Sequence, residues 1–296
     1  KCRFKNMIGL MYMMNTDTIF IIAMNKGKLA LIFVESLTVL LLSGAFSQAA
    51  GQVAADAGIR WISDRYRVSK PVSLIGLEHW KPHEKTAGQT KWINKDGKLI
   101  LDLFSGKPKN YASVSLVSKK EYGNFILDFT WIAEKGSNSG IKYRFKDFGG
   151  NGWLGCEYQI LDDPNNGDGK KENGRNSAAS LYNMFAPDPA KKKLNSYGNR
   201  NTGRIVVLNN HAEHWLNGEK VLEYEIGDED WKKAHASSKF AGAEDFGKNP
   251  KGLLLVQDHD YPITFETITV REIGGQKASP PFRKRGIWRP VRPIWK

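Results

Sequence analysis

At 296 residues with 41% hydrophobic content, the chain can bury a sizeable core and has room for one large all-β domain or two small ones. Its net charge of +13 gathers at the ends: residues 277–296 carry seven bases and no acid, and residues 1–50 carry five bases against Asp17 and Glu35. The body is left near +3, which argues against reading the whole protein as a nucleic-acid binder, and Cys2 and Cys156 form neither a zinc pattern nor a redox pair.

In chain order, Met24-Asn25-Lys26-Gly27-Lys28 is a short basic start, Leu29 to Leu42 is mostly apolar, and small residues follow from Ser43 to Ala49. This is the plan of a secretory signal peptide, with translation starting at Met24. Residues 1–50 are therefore expected to be a leader, and the mature protein to be secreted or periplasmic. The apolar run is short and interrupted by Glu35, so no transmembrane anchor is expected after cleavage. Residues 51–71 read as a linker or weak helix.

Strand-like text begins at about Val72. Lys91-Trp92-Ile93-Asn94 meets Lys98-Leu99-Ile100-Leu101 across Asp96-Gly97, a two-residue hairpin signal. Val114 to Ser118, Asn124 to Trp131 and Ile141 to Phe145 are further strands. Gly155-Cys156-Glu157-Tyr158-Gln159-Ile160-Leu161 alternates polar and apolar before a Pro/Asn/Gly turn. Ala179 to Phe185 is short and apolar, and a Pro- and Lys-rich loop covers about 186–196. Arg204 to Leu208 and Ala212 to Leu216 form a hairpin, and Asn217-Gly218 turns the chain into Lys220 to Tyr224. Residues 227–246, around Trp231, are the one stretch with room for a short helix. The last strands are Gly252 to Gln257 and Ile263 to Glu272. From Gly274 onward the basic, Pro- and Trp-bearing tail has no strand or helix pattern and reads as disordered. Many short strands with regular turns predict a β-sandwich or barrel.

Parity within strands suggests where chemistry sits. Lys142 and Arg144 share one face of their strand, Glu157 and Gln159 one face of theirs, and Gln257 and His259 a third. If those faces coincide, one sheet presents all six, and Glu213 and Trp215 could join from the hairpin. Carboxylates, amides and an indole suit a sugar, whose hydroxyls need polar edges and whose ring face needs an apolar cover. The plainer reading is a solvated outer face. Asp162, Asp163, Asn165, Asn166 and Asp168 offer the hard oxygens that calcium prefers, without EF-hand spacing.

Five of these stretches, in order, resemble the 3-keto-disaccharide hydrolase family: Lys120 to Phe125, Asn138 to Arg144, Gly155 to Asp163, His214 to Gly218, and Leu255 to His259. The resemblance covers about residues 72–273. It implies an all-β, concanavalin A-like jelly-roll β-sandwich with the site on the concave face, and an enzyme that cleaves 3-keto-glycosides. A ketone at C3 acidifies the C2 proton; a base removes it, the C1 substituent leaves, and water adds back. The resemblance implies Glu157 and His259 as base and acid, Arg144 for the enolate, Gln159, Gln257 and Lys142 for hydroxyls, and Asp258 to orient His259 or, with Asp162, to hold a divalent metal. The expected partner is a carbohydrate, and a non-catalytic carbohydrate-binding module is the competing class. Four departures stand out. Gly198-Asn199-Arg200-Asn201 replaces the usual Gly-Glu-Trp-Asn, and Asp260 replaces a Gly. Phe265-Glu266-Thr267-Ile268 replaces Phe-Arg-Asn-Ile, and the opening pattern is degraded around Leu74 to Lys81.

Overall fold

The computed structural model describes residues 9–15, 18–25, 28–34, 59–83, 89–149 and 152–277. Strands β1 (Gly9–Asn15), β2 (Thr18–Asn25) and β3 (Lys28–Val34) form a small antiparallel sheet of their own. The rest of the expected leader, residues 51–58 of the linker and residues 278–296 of the tail lie outside the described residues; Gly274 to Gln276, expected to open the patternless tail, instead continue the last described strand, which pairs there with Tyr66. Residues 59–65 are helical.

The body is a two-layer β-sandwich. Its larger sheet has nine strands: the path β15-β14-β13-β10-β17-β8-β7, with β4 and β5 also paired to β17. These are β4 (Tyr66–Val68), β5 (Val72–Ser73), β7 (Trp92–Lys95), β8 (Lys98–Leu101), β10 (Phe125–Ala133), β13 (Arg200–Leu208), β14 (His211–Leu216), β15 (Glu219–Glu225) and β17 (Ile263–Gln276). The smaller sheet has the order β12-β11-β16-β9-β6, made of β6 (Trp80–Pro82), β9 (Leu116–Tyr122), β11 (Asn138–Asp147), β12 (Trp153–Leu161) and β16 (Gly252–Val256). All pairings are antiparallel. The fold is the all-β jelly roll that the sequence predicts.

Alternation builds the core. Phe125, Leu127, Phe129 and Trp131 of β10 point inward and meet Ile141 and Tyr143 of β11 and Cys156, Tyr158 and Ile160 of β12. Phe129 and Tyr158 pack edge to face at 5.1 Å, the geometry ring quadrupoles prefer. The outer face of the larger sheet carries a second cluster, Ile126, Val206 and Ile273, closed by Ile62 of the helical stretch. The outer face of the smaller sheet carries a third, Val117, Phe145 and Leu255. The two predicted tight turns are present: Asp96-Gly97 and Asn217-Gly218 all take positive φ, as a type I′ hairpin requires. Among the described residues, the one α-helix outside 59–65 is Glu229–Ala236, N-capped by Asp228 and holding Trp231 against the core.

Candidate active site

The site is read from the register of the smaller sheet. Because Tyr158 faces the core, Glu157 and Gln159 face outward. Lys142 stands directly opposite Glu157 on β11, with Leu255 of β16 beyond it. On its other edge β12 is extended by the segment after the Asx-rich loop: Tyr158 bridges Leu181, and the Tyr182 N–H donates to the Glu157 carbonyl at 3.0 Å. Tyr182 is therefore the outward neighbour of Glu157. One row across the face reads Leu255, Lys142, Glu157, Tyr182. The next reads Gln257, Gly140, Gln159, Ser180, tied by N–H donation from Gln257 to Gly140 at 2.9 Å and from Gln159 to Ser180 at 3.2 Å.

Glu157 is only 5% exposed although it lies on an outer face. Its carboxylate is 3.3 Å from the Lys142 ammonium and leans over Gly140, where a Cβ would fall 2.5 Å from Oε1. Glycine there leaves the carboxylate its space. In the neighbouring row, Gln159 Oε1, Gln257 Oε1 and Ser180 Oγ are all buried without a hydrogen-bond partner. Buried polar atoms are normally satisfied, so three orphans in one row point to a polar ligand that supplies the missing partners.

Two further groups reach this face, one from the segment that extends β12 and one from a loop without a periodic pattern. The Tyr182 hydroxyl donates to Asp168 at 3.2 Å, and burial, reinforced by Asp168, raises its pKa. The Lys239 ammonium lies 4.1 Å from the Tyr182 ring centroid. Lys239 is exposed overall, yet burial around its ammonium lowers its pKa, an effect that Glu157 and Asp168 oppose and Lys142 reinforces. Sequence reasoning missed both; the alternation from Ala179 to Tyr182 was the available signal for Tyr182, and nothing marked Lys239.

Several expected residues lie elsewhere. A β-bulge between Tyr143 and Lys146 puts Arg144 at φ 51° and breaks the parity that would align it with Lys142. Arg144 instead donates to the carbonyls of Asn209 and Gly247, is 2% exposed, and faces the core beside Tyr143 and Cys156. Glu213 and Trp215 belong to β14, whose inward residues are Ala212, His214 and Leu216. They therefore stand on the outer face of the larger sheet, on the opposite side of the sandwich from Glu157. There Glu213 accepts from Trp215 Nε1 at 2.8 Å and from Lys220 at 3.1 Å. Parity fixed their face but not their sheet.

His259 is exposed in the loop after β16, beyond the point where strand parity ends. Asp258 is buried and fastens a different loop: it accepts from Val114 N–H at 2.8 Å, from the Tyr111 hydroxyl, and from Asp260 N–H at 3.1 Å. Asp162 accepts from Gly136 N–H at 2.8 Å. The two carboxylates expected to share a metal are thus each committed to a separate backbone turn. Among the described residues, the group with metal-like spacing is His211, Glu213 and Glu223, whose ligand atoms lie within 4.8 Å of one another. The Lys220 ammonium already bridges Glu213 and Glu223, at 3.1 and 2.5 Å.

Comparison with known proteins adds independent findings. A family model described as a 3-keto-alpha-glucoside-1,2-lyase-like domain matches residues 72–271. A Bacteroides thetaiotaomicron protein named 3-keto-disaccharide hydrolase is 31% identical over 216 residues, 65% of this chain and 73% of that protein. A crystal structure of a provisionally assigned glycosyl hydrolase from Parabacteroides distasonis is similar at TM-score 0.55 and 28% identity, covering 66% of this chain and 88% of that one. A second structure from that organism, at TM-score 0.51 and 23% identity, covers 69% of this chain and 100% of its own and shares the fold.

Proposed function

Since the chain belongs to the 3-keto-alpha-glucoside-1,2-lyase-like family of glycoside-acting enzymes, we propose that it cleaves 3-keto-glycosides, with Glu157 as the base that removes the C2 proton. The observation that carries this reading is the buried Glu157 carboxylate beside Lys142, next to a row of unpartnered polar atoms.

The ketone at C3 makes the C2 proton removable by a carboxylate. As Glu157 takes it, negative charge moves from the carboxylate to the substrate enolate. Lys142 neutralises Glu157 before the transfer and is placed to follow the charge onto the enolate oxygen, so no charge is stranded in a water-poor recess. Lys142 thus takes the part that the sequence assigned to Arg144. The enolate re-forms the ketone as the C1–O bond breaks, leaving a C1–C2 double bond. Water then adds its hydroxyl to C1 and a proton returns to C2, which completes a net hydrolysis. Gln159, Gln257 and Ser180 supply partners for the sugar hydroxyls.

Glu157→Gln keeps the volume and removes the base. Its kcat on a 3-keto-glucoside is expected to fall by about 10²–10⁴-fold, with KM little changed. Wild-type protein in D₂O should also exchange the C2 hydrogen, and the variant should not. Full turnover by Glu157→Gln would reject the assignment. Binding without release from any oxidised glycoside would make the domain a carbohydrate-binding module instead.

The same reading has the protein exported, on the basic start at Met24 to Lys28, the apolar run to Leu42 and the small residues up to Ala49. N-terminal sequencing of protein recovered from the periplasm or medium tests this. A mature start near residue 50 supports export, and retention of residues 24–50 in the cytoplasm rejects it.

A further inference from the structure

Elimination needs a second proton movement: the departing C1 oxygen leaves as an alkoxide unless something protonates it. From the overhang of Lys239 on the Glu157 row, we infer that Lys239 is the general acid that protonates the leaving oxygen. The inference rests on the proposed reading of Glu157 as the base.

The geometry has three parts. Tyr182 is the outward neighbour of Glu157, and the Lys239 ammonium sits 4.1 Å from the centre of its ring. The ring supports the cation and leaves its N–H bonds free to point elsewhere. The backbone of Lys239 is fixed, because its N–H donates at 2.7 Å to Oδ1 of Asn183, which is held at φ 59° in the turn just after Tyr182. The adjoining Phe240 stacks on Phe246 at 4.1 Å and anchors the loop to the core. A surface lysine on an unanchored loop has no such fixing. The side chain therefore enters the face from the loop after helix Glu229–Ala236, whereas Glu157 enters from the sheet floor.

Base and acid thus come from different elements. An elimination that takes its proton from C2 and expels the oxygen at C1 of the same ring needs a base and an acid at two separate points. The step balances. Glu157 gains the C2 proton, the C2–H electrons become the C1–C2 double bond, the C1–O electrons go to the aglycone oxygen, and Lys239 gives that oxygen a proton. Neutral Lys239 then takes a proton from the incoming water as its hydroxyl adds to C1. Burial around the ammonium weakens its hold on the proton, which is the direction a general acid requires.

The test uses the full chain and two 3-keto-α-glucosides that differ in the aglycone, one alkyl and one 4-nitrophenyl. An alkoxide needs a proton to leave, and a nitrophenolate does not. Lys239→Met should lose about 10²-fold or more in kcat on the alkyl glucoside and less than about 10-fold on the nitrophenyl glucoside. Lys239→Arg keeps a cation over Tyr182 but does not give up a proton near neutrality, so it should fail to restore alkyl turnover. Equal losses on both substrates, or full recovery in Lys239→Arg, would overturn the inference and leave the Glu157 reading standing. That reading is tested separately, since Glu157→Gln should lose both substrates alike.

Discussion

A single missing methyl group shapes the site. Gly140 has an ordinary strand backbone, so alanine fits its φ and ψ, but the added Cβ would stand 2.5 Å from Glu157 Oε1. Gly140→Ala is expected to displace the carboxylate and lower kcat by about 10–100-fold, because small misplacements of a reacting group are costly. The melting temperature should change little, since a side chain and not the backbone gives way. Steady-state kinetics beside a thermal melt checks both halves. The departures from the family pattern also resolve at this scale. Asp260 sits at φ 68°, where glycine is the default and aspartate is tolerated, and it is held there by Ser113 and by Lys107 at 2.9 Å. Arg200 and Glu266, which replace the usual Trp and Arg, form an ion pair with each other, and Lys98 joins Glu266 at 2.9 Å. Both lie on the outer face of the larger sheet, away from Glu157, and the two departures meet in one ion pair.

At the scale of elements, the sequence made strands and turns legible because they rest on local rules. Alternation fixed the outward face of Glu157 and Gln159, and Asp-Gly and Asn-Gly fixed two turns. Arg144 was misread because a bulge adds a residue without any mark in the composition. Trp215 was misread because parity says nothing about which sheet a strand joins. Lys239 was invisible because its loop has no period and earns its place only through Asn183 and Phe246.

The same scale holds a buried network behind the strands of the candidate site. His214 donates from Nδ1 to Ala179 O at 3.0 Å and accepts at Nε2 from Tyr143 Oη at 2.8 Å, and Tyr143 bonds Tyr224 in turn. It thereby ties β14 to the segment that carries Ser180 and Tyr182. Burial lowers its pKa from the ordinary 6.5 to about 4. A histidine kept neutral when folded stabilises fully above about pH 6.5, and that contribution is lost as the pH falls toward 4. Urea unfolding should therefore show a loss of about 2 kcal/mol between pH 7 and pH 5, and His214→Gln should flatten that slope. Asp258 offers a second test: Asp258→Ala strands the Val114 N–H in a buried site and should cost about 2–4 kcal/mol by chemical denaturation.

Across the whole molecule, one core cluster takes residues from both sheets, from Leu74 near one end of the body to Val270 near the other. The layers therefore have no separate stability to fall back on. Near-ultraviolet and far-ultraviolet circular dichroism of a 59–277 fragment should report the same denaturant midpoint, and two resolved midpoints would show that the sheets melt apart. Strand β17 is what makes the larger sheet continuous, since it pairs with β10, β8, β4 and β5. A ribosome makes all four partners before it makes β17. At about 5–20 residues per second, β4 waits roughly 10–40 s for the strand that completes its sheet. Until β17 arrives, β10 is an apolar strand with an open edge, so a chain truncated before Ile263 is expected to aggregate or be degraded where the full chain folds.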